Sequence, residues 1–433
     1  MPVNSISARL RQHLGAIVSS ALTAVDARRV TSAALVSLRE SLPDGDVIRV
    51  VAAGKAAVGM ARAIDDVLGA RCAAGVMTAT ASTDVPGWQV IGGTHPRPSE
   101  ASARAGRAAL ALADATRRDG GLLIVCLSGG ASAMLAVPAD GLTIDDKAAT
   151  TAALLRAGLD IGAINVVRRH LSAIKGGQLA ARAGRTVTLA ISDVCTPVED
   201  DPAVIGSGPT AGDPSSFGDA LAVVTRAGLL ETIPAAARHH LEAGARGERP
   251  GPVPPDDPRL QRAAYWLIGS RREAMRAAAD TATHLGYATH VIAEPTVGPA
   301  HVAGTTLIGR AVAMADRRPA CLIASGETTV DVRGPGRGGR NQELALAAIA
   351  DVAAVGPAAL ASVGTDGVDG PTDAAGAFVT ADMFARLGQD AATRVSTALA
   401  DNDSLPILDE LGAIVRTGPT GTNVGDLQVL LLA

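Results

Sequence analysis

Short runs of apolar residues alternate along the chain with alanine-rich stretches of helical character. The runs VIRVVAAG, GLLIVCLSGG and TVTLAISDV are almost uninterrupted by charge, and segments with helical spacing of apolar residues separate them. Continuous apolar strands separated by helices are typical of parallel sheets whose two faces are both covered. The alternation therefore predicts an α/β protein, with helices over residues 56–68, 101–118, 144–159 and 165–183.

Chain length and one unusual segment predict how this α/β structure is divided. A chain of 433 residues is long enough for two or three domains. The segment RGERPGPVPPDDPRL, residues 246–260, is rich in proline and charge, as a stiff linker would be. We therefore expect an N-terminal domain over residues 1–245 with a Rossmann-like parallel sheet, and a C-terminal α/β domain over residues 261–433. Ligands bind beyond the carboxyl ends of such strands, so the active site is expected in a cleft between the domains.

Composition excludes several classes of function. The net charge is −4 and aromatic residues make up 2% of the chain, which gives no basic or stacking surface for nucleic acid. The four cysteines are far apart in the sequence, which argues against a disulfide framework and indicates a reducing cytoplasm. The apolar stretch after Arg11 could pass for a signal peptide, but an amphipathic first helix is favoured. The longest uncharged stretch, residues 120–139, is broken by glycines and a proline, so no membrane span is expected.

Lys55 lies where a predicted strand becomes a helix. The sequence AAGKAAVG lacks the upstream glycine and the hydroxyl residue of a P-loop. A lysine at a helix start suits a bound anion, because free N–H groups and the helix dipole point there. The alternative is a solvated surface lysine. The chain has 39 Lys and Arg residues, and only three of them are lysines: Lys55, Lys147 and Lys175. Because lysine is so rare, its presence at position 55 favours a specific role. For Lys175 a functional and a structural role are equally open.

Other strand ends carry small residues and acids. Ser128, Gly129 and Gly130 could form an anion-binding nest of backbone N–H groups, or simply a tight turn into a helix. Asp193 and Asp366 each end a predicted strand, where a carboxylate can hold Mg²⁺. His95 lies in a proline-rich loop and could orient a substrate or be structural.

The segment VRGPGRGGRNQELAL combines glycines with three arginines. Gly334, Gly336 and Gly339 have the spacing of a dinucleotide-binding turn, but no acid follows at the distance that a ribose would need. Arginines within such a loop suit a transferring phosphoryl group better. The loop is therefore expected to bind phosphate through Gly336, Gly338 and Gly339, and through Arg340 at the start of the next helix.

Several of these segments together resemble one enzyme family. GRGGRNQELAL, GTDGVDGPTDAAGA and TGPTGTNVGDL resemble the C-terminal MOFRL domain of glycerate 2-kinases. AAGKAAVGMA, THPRPSE, LSGGASAML and HLSAIKGGQLA resemble their N-terminal domain. The match covers nearly the whole chain in the right order.

This resemblance implies ATP-dependent phosphorylation of D-glycerate to 2-phosphoglycerate with Mg²⁺. It also implies that Lys55 and Arg340 are key active-site residues. Asp193 is a third catalytic candidate, either as a weak base or as a metal ligand, and Asp366 is the other acid that could anchor the metal. The alternatives are an NAD(P)H-dependent hydroxypyruvate reductase and a non-catalytic protein that binds small carboxylates. Whether the protein is a monomer or a homodimer stays open.

Overall fold

The chain forms two compact units, and one of them is built from two separate stretches of the sequence. The computed structural model describes residues 3–42, 45–79, 85–314 and 317–433. One unit, here the parallel-sheet unit, comprises Ala27–Ile268. The other, here the mixed-sheet unit, comprises Met1–Asp26 together with Gly269–Ala433.

Helices and strands alternate through both units, as the sequence predicts. The helices are α1 (Val3–Ala24), α2 (Ala27–Ser41), α3 (Ala57–Leu68), α4 (Glu100–Arg118), α5 (Ala131–Met134), α6 (Ile144–Arg156), α7 (Ile161–His170), α8 (Gln178–Ala183), α9 (Phe217–Arg226), α10 (Ala235–Ala245), α11 (Arg271–His284), α12 (Ala300–Met314), α13 (Arg340–Ala347), α14 (Ile349–Ala354), α15 (Met383–Arg386), α16 (Ala391–Ala400) and α17 (Ser404–Glu410). The strands are β1 (Ile48–Ala53), β2 (Cys72–Ala79), β3 (Trp88–Gly92), β4 (Leu122–Leu127), β5 (Thr186–Ile191), β6 (Ala263–Gly269), β7 (Ala288–Val291), β8 (Thr296–Pro299), β9 (Ala320–Thr329), β10 (Ala358–Gly364), β11 (Gly376–Thr380), β12 (Ile414–Val415) and β13 (Asp426–Leu432).

The parallel-sheet unit is built on six strands in the order β3-β2-β1-β4-β5-β6. Each neighbouring pair from β3 to β5 is parallel. Every residue of β4 and of β5 is buried, which explains why these strands read as unbroken apolar runs. The order 3-2-1-4-5-6 is that of a doubly wound sheet, in which the chain changes direction between β1 and β4. Ligands of such sheets bind at this switch point, beyond the carboxyl ends of the strands.

The predicted domain boundaries differ from the observed ones. β6, which we expected to open the second domain, is the edge strand of the first sheet, next to β5. The segment 246–260, predicted as a linker, lies within the parallel-sheet unit. Val253 donates its N–H to Gly176 O at 2.8 Å and accepts from Asp213 N at 2.8 Å. The segment 246–260 is therefore packed against its own unit through backbone hydrogen bonds and does not link two domains.

One predicted helix is two helices. The alanine-rich stretch over residues 165–183 is interrupted after His170, and α8 starts only at Gln178. Gly176 and Gly177 have φ values of 59° and 76°, in the left-handed region that favours glycine. The turn between α7 and α8 therefore carries Lys175, which the sequence pattern had assigned to a helix.

The mixed-sheet unit has strands in the order β12-β11-β10-β13-β9-β7, with β8 also paired to β9. Strand β13 runs antiparallel to both of its neighbours, β9 and β10. β10 and β11 are also antiparallel, and only β7 and β8 run parallel to β9. The sheet of this unit is thus mixed, because β10 and β11 are joined by a loop without a crossover helix.

The first helix belongs to the mixed-sheet unit. Leu10, Leu14 and Ile17 of α1 are buried where the helix packs against α11 and β10. This confirms the predicted amphipathic helix. Within the described ranges, the structure contains no helix with the length and apolar character needed to span a membrane.

Candidate active site

Lys55 follows β1 directly, in a loop that is fastened to the loop after β4. Lys55 N donates to Gly129 O at 2.9 Å, and Ala56 N donates to the Ser128 hydroxyl at 3.0 Å. Ser128 N in turn donates to Ala53 O at 3.1 Å. These bonds hold the two loops together on either side of the β1–β4 switch point, and the backbone of Lys55 is fixed as a result.

Gly54 allows this close approach. Its φ is 117°, and a Cβ at this position would lie 2.3 Å from Ser128 Oγ and 2.6 Å from Ser128 O. Such distances exclude any side chain unless one of the loops moves. Gly54 therefore places Lys55 at the carboxyl edge of the sheet, where its side chain is half-buried.

The loop Ser128–Gly130 has the features of an anion nest. Ser128 is fully buried, and its hydroxyl caps the start of α3, so this side chain is structural. Gly130 is left-handed with φ 85° and precedes α5. In the described part of the protein, the N–H groups of Gly129 and Gly130 have no protein acceptor. Two successive unsatisfied N–H groups at a turn are suited to bind an anion.

His95 lies beside this nest. Its ring Cδ2 is 3.2 Å from the position that a Cβ on Gly130 would occupy. The side chain is exposed, so the imidazole can reach a ligand held by the nest. A substrate-orienting role for His95 remains a prediction, and the geometry is compatible with it.

Lys175 is more deeply placed than an ordinary ligand-binding lysine. It is 1% exposed, and its Nζ donates to Gly206 O at 2.8 Å. Burial, together with the charge of nearby Lys147, lowers the pKa of Lys175 well below its usual value. Ser207, in the same turn as Gly206, bonds to Ser132 of α5 at 2.8 Å. Lys175 is thus linked through the 206–207 turn to α5, the helix that follows Gly130.

Lys147, to which the sequence pattern assigned no role, is also buried. Its Nζ donates to Arg168 O at 2.8 Å and to Leu171 O at 3.3 Å. Arg168 is in the last turn of α7 and Leu171 is its C-cap residue, so Lys147 lies at the end of a helix, where a cation is favourable. Burial lowers the pKa of Lys147 to about 7.

Arg340 starts α13 and is held by two acids. Its Nε and Nη2 donate to the two carboxylate oxygens of Asp426 at 2.6 and 3.0 Å, and Nη1 donates to Glu327 Oε1 at 2.6 Å. Asp426 is fully buried, and burial raises its pKa to about 6 although Arg340 lowers it. These three bonds use three of the five guanidinium N–H donors and leave about two for a ligand.

The loop before α13, which carries Arg333, Arg337 and Arg340, is less positive than its sequence suggests. Arg333 pairs with Asp331 at 2.6 Å, as Arg340 does with Asp426 and Glu327. Only Arg337, which is exposed, has a side chain without an acidic partner among the described residues. Sequence reasoning missed Glu327 and Asp426 as partners of Arg340. The available signals were two acids next to predicted strands: Glu327 in SGE and Asp426 in GDL.

The glycines of this loop differ in what they can bind. The N–H groups of Gly334 and Gly336 are taken by Asn402 Oδ1 at 3.0 Å and by Asp401 O at 2.9 Å. By contrast, the N–H groups of Gly338 and Gly339 have no protein acceptor in the described ranges. The predicted phosphate role therefore fits Gly338 and Gly339, whereas Gly336 serves to fix the loop.

The first turn of α13 is already capped by a carboxylate. Asp369 accepts from Asn341 N at 3.0 Å and from Gln342 N at 2.9 Å. Asn341 N and Gln342 N are therefore not available to a pyrophosphate, whereas Gly338 N and Gly339 N are. Since the N–H groups of Gly334 and Gly336 are also engaged, the loop lacks most of the backbone donors that a dinucleotide turn needs, despite its spacing.

The two acids predicted to hold metal are both at strand ends. Asp193 follows β5 and is half-buried. Asp366 follows β10 and is half-buried, and its Oδ1 accepts from Val368 N at 3.1 Å. Asp193 lies in the parallel-sheet unit with Lys55, and Asp366 lies in the mixed-sheet unit with Arg340. The expectation that all of them share one cleft stays a prediction.

The fold and these loops define a doubly wound α/β protein, with two unpaired backbone N–H groups at its switch point among the described residues, and a second, mixed-sheet unit. Residues 13–242 match the family described as "Domain of unknown function (DUF4147)", and residues 320–426 match the MOFRL family. Glycerate 2-kinase from Pyrococcus horikoshii is 35% identical over 89% of this chain and 87% of its own. A protein from Agrobacterium vitis with the provisional name hydroxypyruvate reductase is 35% identical over 100% of this chain and 96% of its own.

A solved structure agrees with these sequence matches. The crystal structure of glycerate kinase from Thermotoga maritima superposes with a TM-score of 0.85 at 32% identity, over 98% of this chain and 100% of that one. The chain belongs to the glycerate 2-kinase family. The resemblance inferred from the sequence motifs, and the α/β fold class, are thereby confirmed.

Proposed function

We propose that the protein transfers the γ-phosphoryl group of ATP to the C2 hydroxyl of D-glycerate, forming ADP and 2-phospho-D-glycerate. One observation carries this proposal beyond family membership. Lys55 and the N–H groups of Gly129 and Gly130 flank the switch point of a doubly wound sheet, where such folds bind phosphorylated ligands. Phosphoryl transfer depends on positioning and on charge stabilisation, which these groups can supply.

Each cluster has a distinct role in this proposal. The nest binds phosphoryl oxygens or the glycerate carboxylate through backbone N–H groups. The Lys55 ammonium, fixed by Gly54, neutralises charge on the transferring group. Arg340, oriented by Asp426 and Glu327, offers its two remaining N–H donors to phosphoryl oxygens. Because the guanidinium is held in place beforehand, it needs little reorganisation when charge builds up.

Asp193 and Asp366 fit the requirements of a magnesium ion. Mg²⁺ is usually bound by one or two carboxylates together with substrate phosphates. Both side chains offer a half-buried carboxylate at the carboxyl end of a strand. Among the described residues no group of three His, Cys, Asp or Glu side chains is arranged to hold a metal. When bound, the ion would neutralise phosphate charge, and in this proposal Asp193 is the candidate for the weak base that accepts the hydroxyl proton.

The reductase alternative is less well supported by the geometry. It requires a nicotinamide cofactor, and the one segment with dinucleotide spacing has its first two glycine N–H groups occupied by the 401–403 segment. A protein that only binds carboxylates would use the nest but would not turn over ATP.

One pair of assays separates these alternatives. With D-glycerate, ATP and Mg²⁺, we expect ADP to form, and a metal chelator should stop the reaction. With hydroxypyruvate and NADH, the absorbance of NADH should stay constant. NADH consumption without ADP formation in the first assay would overturn the kinase in favour of the reductase, and inactivity in both would favour the binding protein.

A further inference from the structure

A cavity of about 470 Å³ lies in the mixed-sheet unit, apart from the clusters described above. It is bordered by α1, the end of β11, α15 and the turn after α17. The polar residues among its lining are Ser7, Arg11, Thr380, Asp382 and Arg386. Two of them are arginines and one is an acid, so the lining carries a net charge of +1.

Arg11 has no acidic partner among the residues that the structure describes, and it contacts an aromatic ring. Its guanidinium carbon lies 5.9 Å from the centroid of the Phe378 ring, a cation–π distance. In the described ranges the Arg11 side chain is otherwise without an ion pair. Burial and the positive charge of Arg386 lower the pKa of Arg11, so its charge is poorly compensated where it stands. An anion in the cavity would compensate it.

Asp382, the acid that lines the cavity, already accepts hydrogen bonds from two hydroxyl groups. Asp382 accepts from Thr380 Oγ1 at 2.8 Å and from the Ser7 hydroxyl. It lies 3.9 Å from Arg386 Nη1, while Arg386 Nη2 donates to Leu411 O at 3.2 Å. Asp382 is thus satisfied by hydroxyl donors, and the two guanidinium groups keep N–H donors for a ligand.

The cavity and the Arg340 cluster lie at opposite ends of strand β10. Thr380 pairs with Ala359 at the start of β10, whereas Asp426 pairs with Gly364 at its end. Five residues of strand separate these positions, which corresponds to roughly 17 Å. A ligand in the cavity would therefore not occupy the groups assigned to the kinase reaction.

We propose that this cavity is a second anion site, in which Arg11 and Arg386 bind a small dianion, namely free phosphate or the phosphate group of a small monoester. Two guanidinium groups match the charge and the several acceptor oxygens of a phosphate better than those of a monocarboxylate.

The test is a calorimetric titration with inorganic phosphate at constant ionic strength set with chloride. To separate this site from the nest, the titration uses a Lys55→Ala background. We expect binding to persist in that background, and Arg11→Gln or Arg386→Gln to weaken it at least roughly tenfold. Arg9→Gln, an exposed position on the same helix, is the matched control and should bind as the background does.

A second variant and a second ligand complete the experiment. Arg386 is exposed, so Arg386→Gln tests the site even if Arg11→Gln fails to fold. Glycerol 2-phosphate in place of phosphate shows which of the two sources the site prefers. The proposal is overturned if Lys55→Ala alone abolishes phosphate binding, if neither Gln variant weakens it, or if acetate binds as tightly as phosphate.

Discussion

Replacing Arg340 by alanine is expected to lower kcat by roughly 10²-fold or more, the usual effect of losing a preorganised charge-stabilising donor. The side chain is held by Asp426 and Glu327 at 2.6 Å each, so its remaining N–H donors point in a defined direction. Steady-state kinetics with both substrates varied would measure the effect. A raised KM with unchanged kcat would instead show that Arg340 binds ground and transition state equally.

The same substitution should also reduce stability. Asp426 is fully buried and would lose its cationic partner, and breaking such a pair by removing one member costs roughly 3 kcal/mol or more. The variant should therefore be assayed well below its unfolding midpoint. Arg337→Ala is the matched control, because Arg337 is exposed on the same loop. It should leave stability nearly unchanged and reduce kcat far less.

Replacing Lys55 is expected to have a comparable effect on the rate. Lys55→Ala removes the one cationic side chain of the β1 loop and should lower kcat by roughly 10²-fold or more. Lys55→Arg should also be poorly tolerated, because a broad planar guanidinium replaces a compact ammonium on a backbone fixed by Gly54. The measurement is kcat for both variants at saturating substrate.

A suitable control lies on the adjoining helix. Arg62 of α3 is exposed, and Arg62→Ala should keep normal activity. Near-normal kcat in Lys55→Arg would show that only net charge matters at position 55. Near-normal kcat in Lys55→Ala would remove Lys55 from the site.

The parallel sheet could be predicted from sequence because its signal is local. Strands such as β4 and β5 are buried on both faces, and each therefore appears as an apolar run between helical segments. The switch-point loops were also predictable, since Gly54, Gly129 and Gly130 directly follow such runs. What fastens these loops, the bond from Ala56 N to the Ser128 hydroxyl, joins residues 72 apart and leaves no local pattern.

The division into units could not be predicted in the same way. β6 resembles any strand of a βα repeat, and only its pairing beside β5 assigns it to the first sheet. The antiparallel β13 and the acid at its start, Asp426, present the same problem. Arg340 and Asp426 are 86 residues apart, so the sequence reveals an arginine but not the carboxylate that holds it. A loop that looks strongly basic is thereby largely neutralised in the folded protein.

The most direct test of the proposed function is to locate the phosphate in the product. The purified protein is incubated with ATP, Mg²⁺ and D-glycerate labelled with ¹³C, and the product is examined by ³¹P and ¹³C NMR. The proposal predicts phosphorus coupling centred on C2, as in 2-phosphoglycerate, with one ADP formed for each product molecule. A phosphate attached at C3, or no phosphorylated glycerate at all, would contradict it.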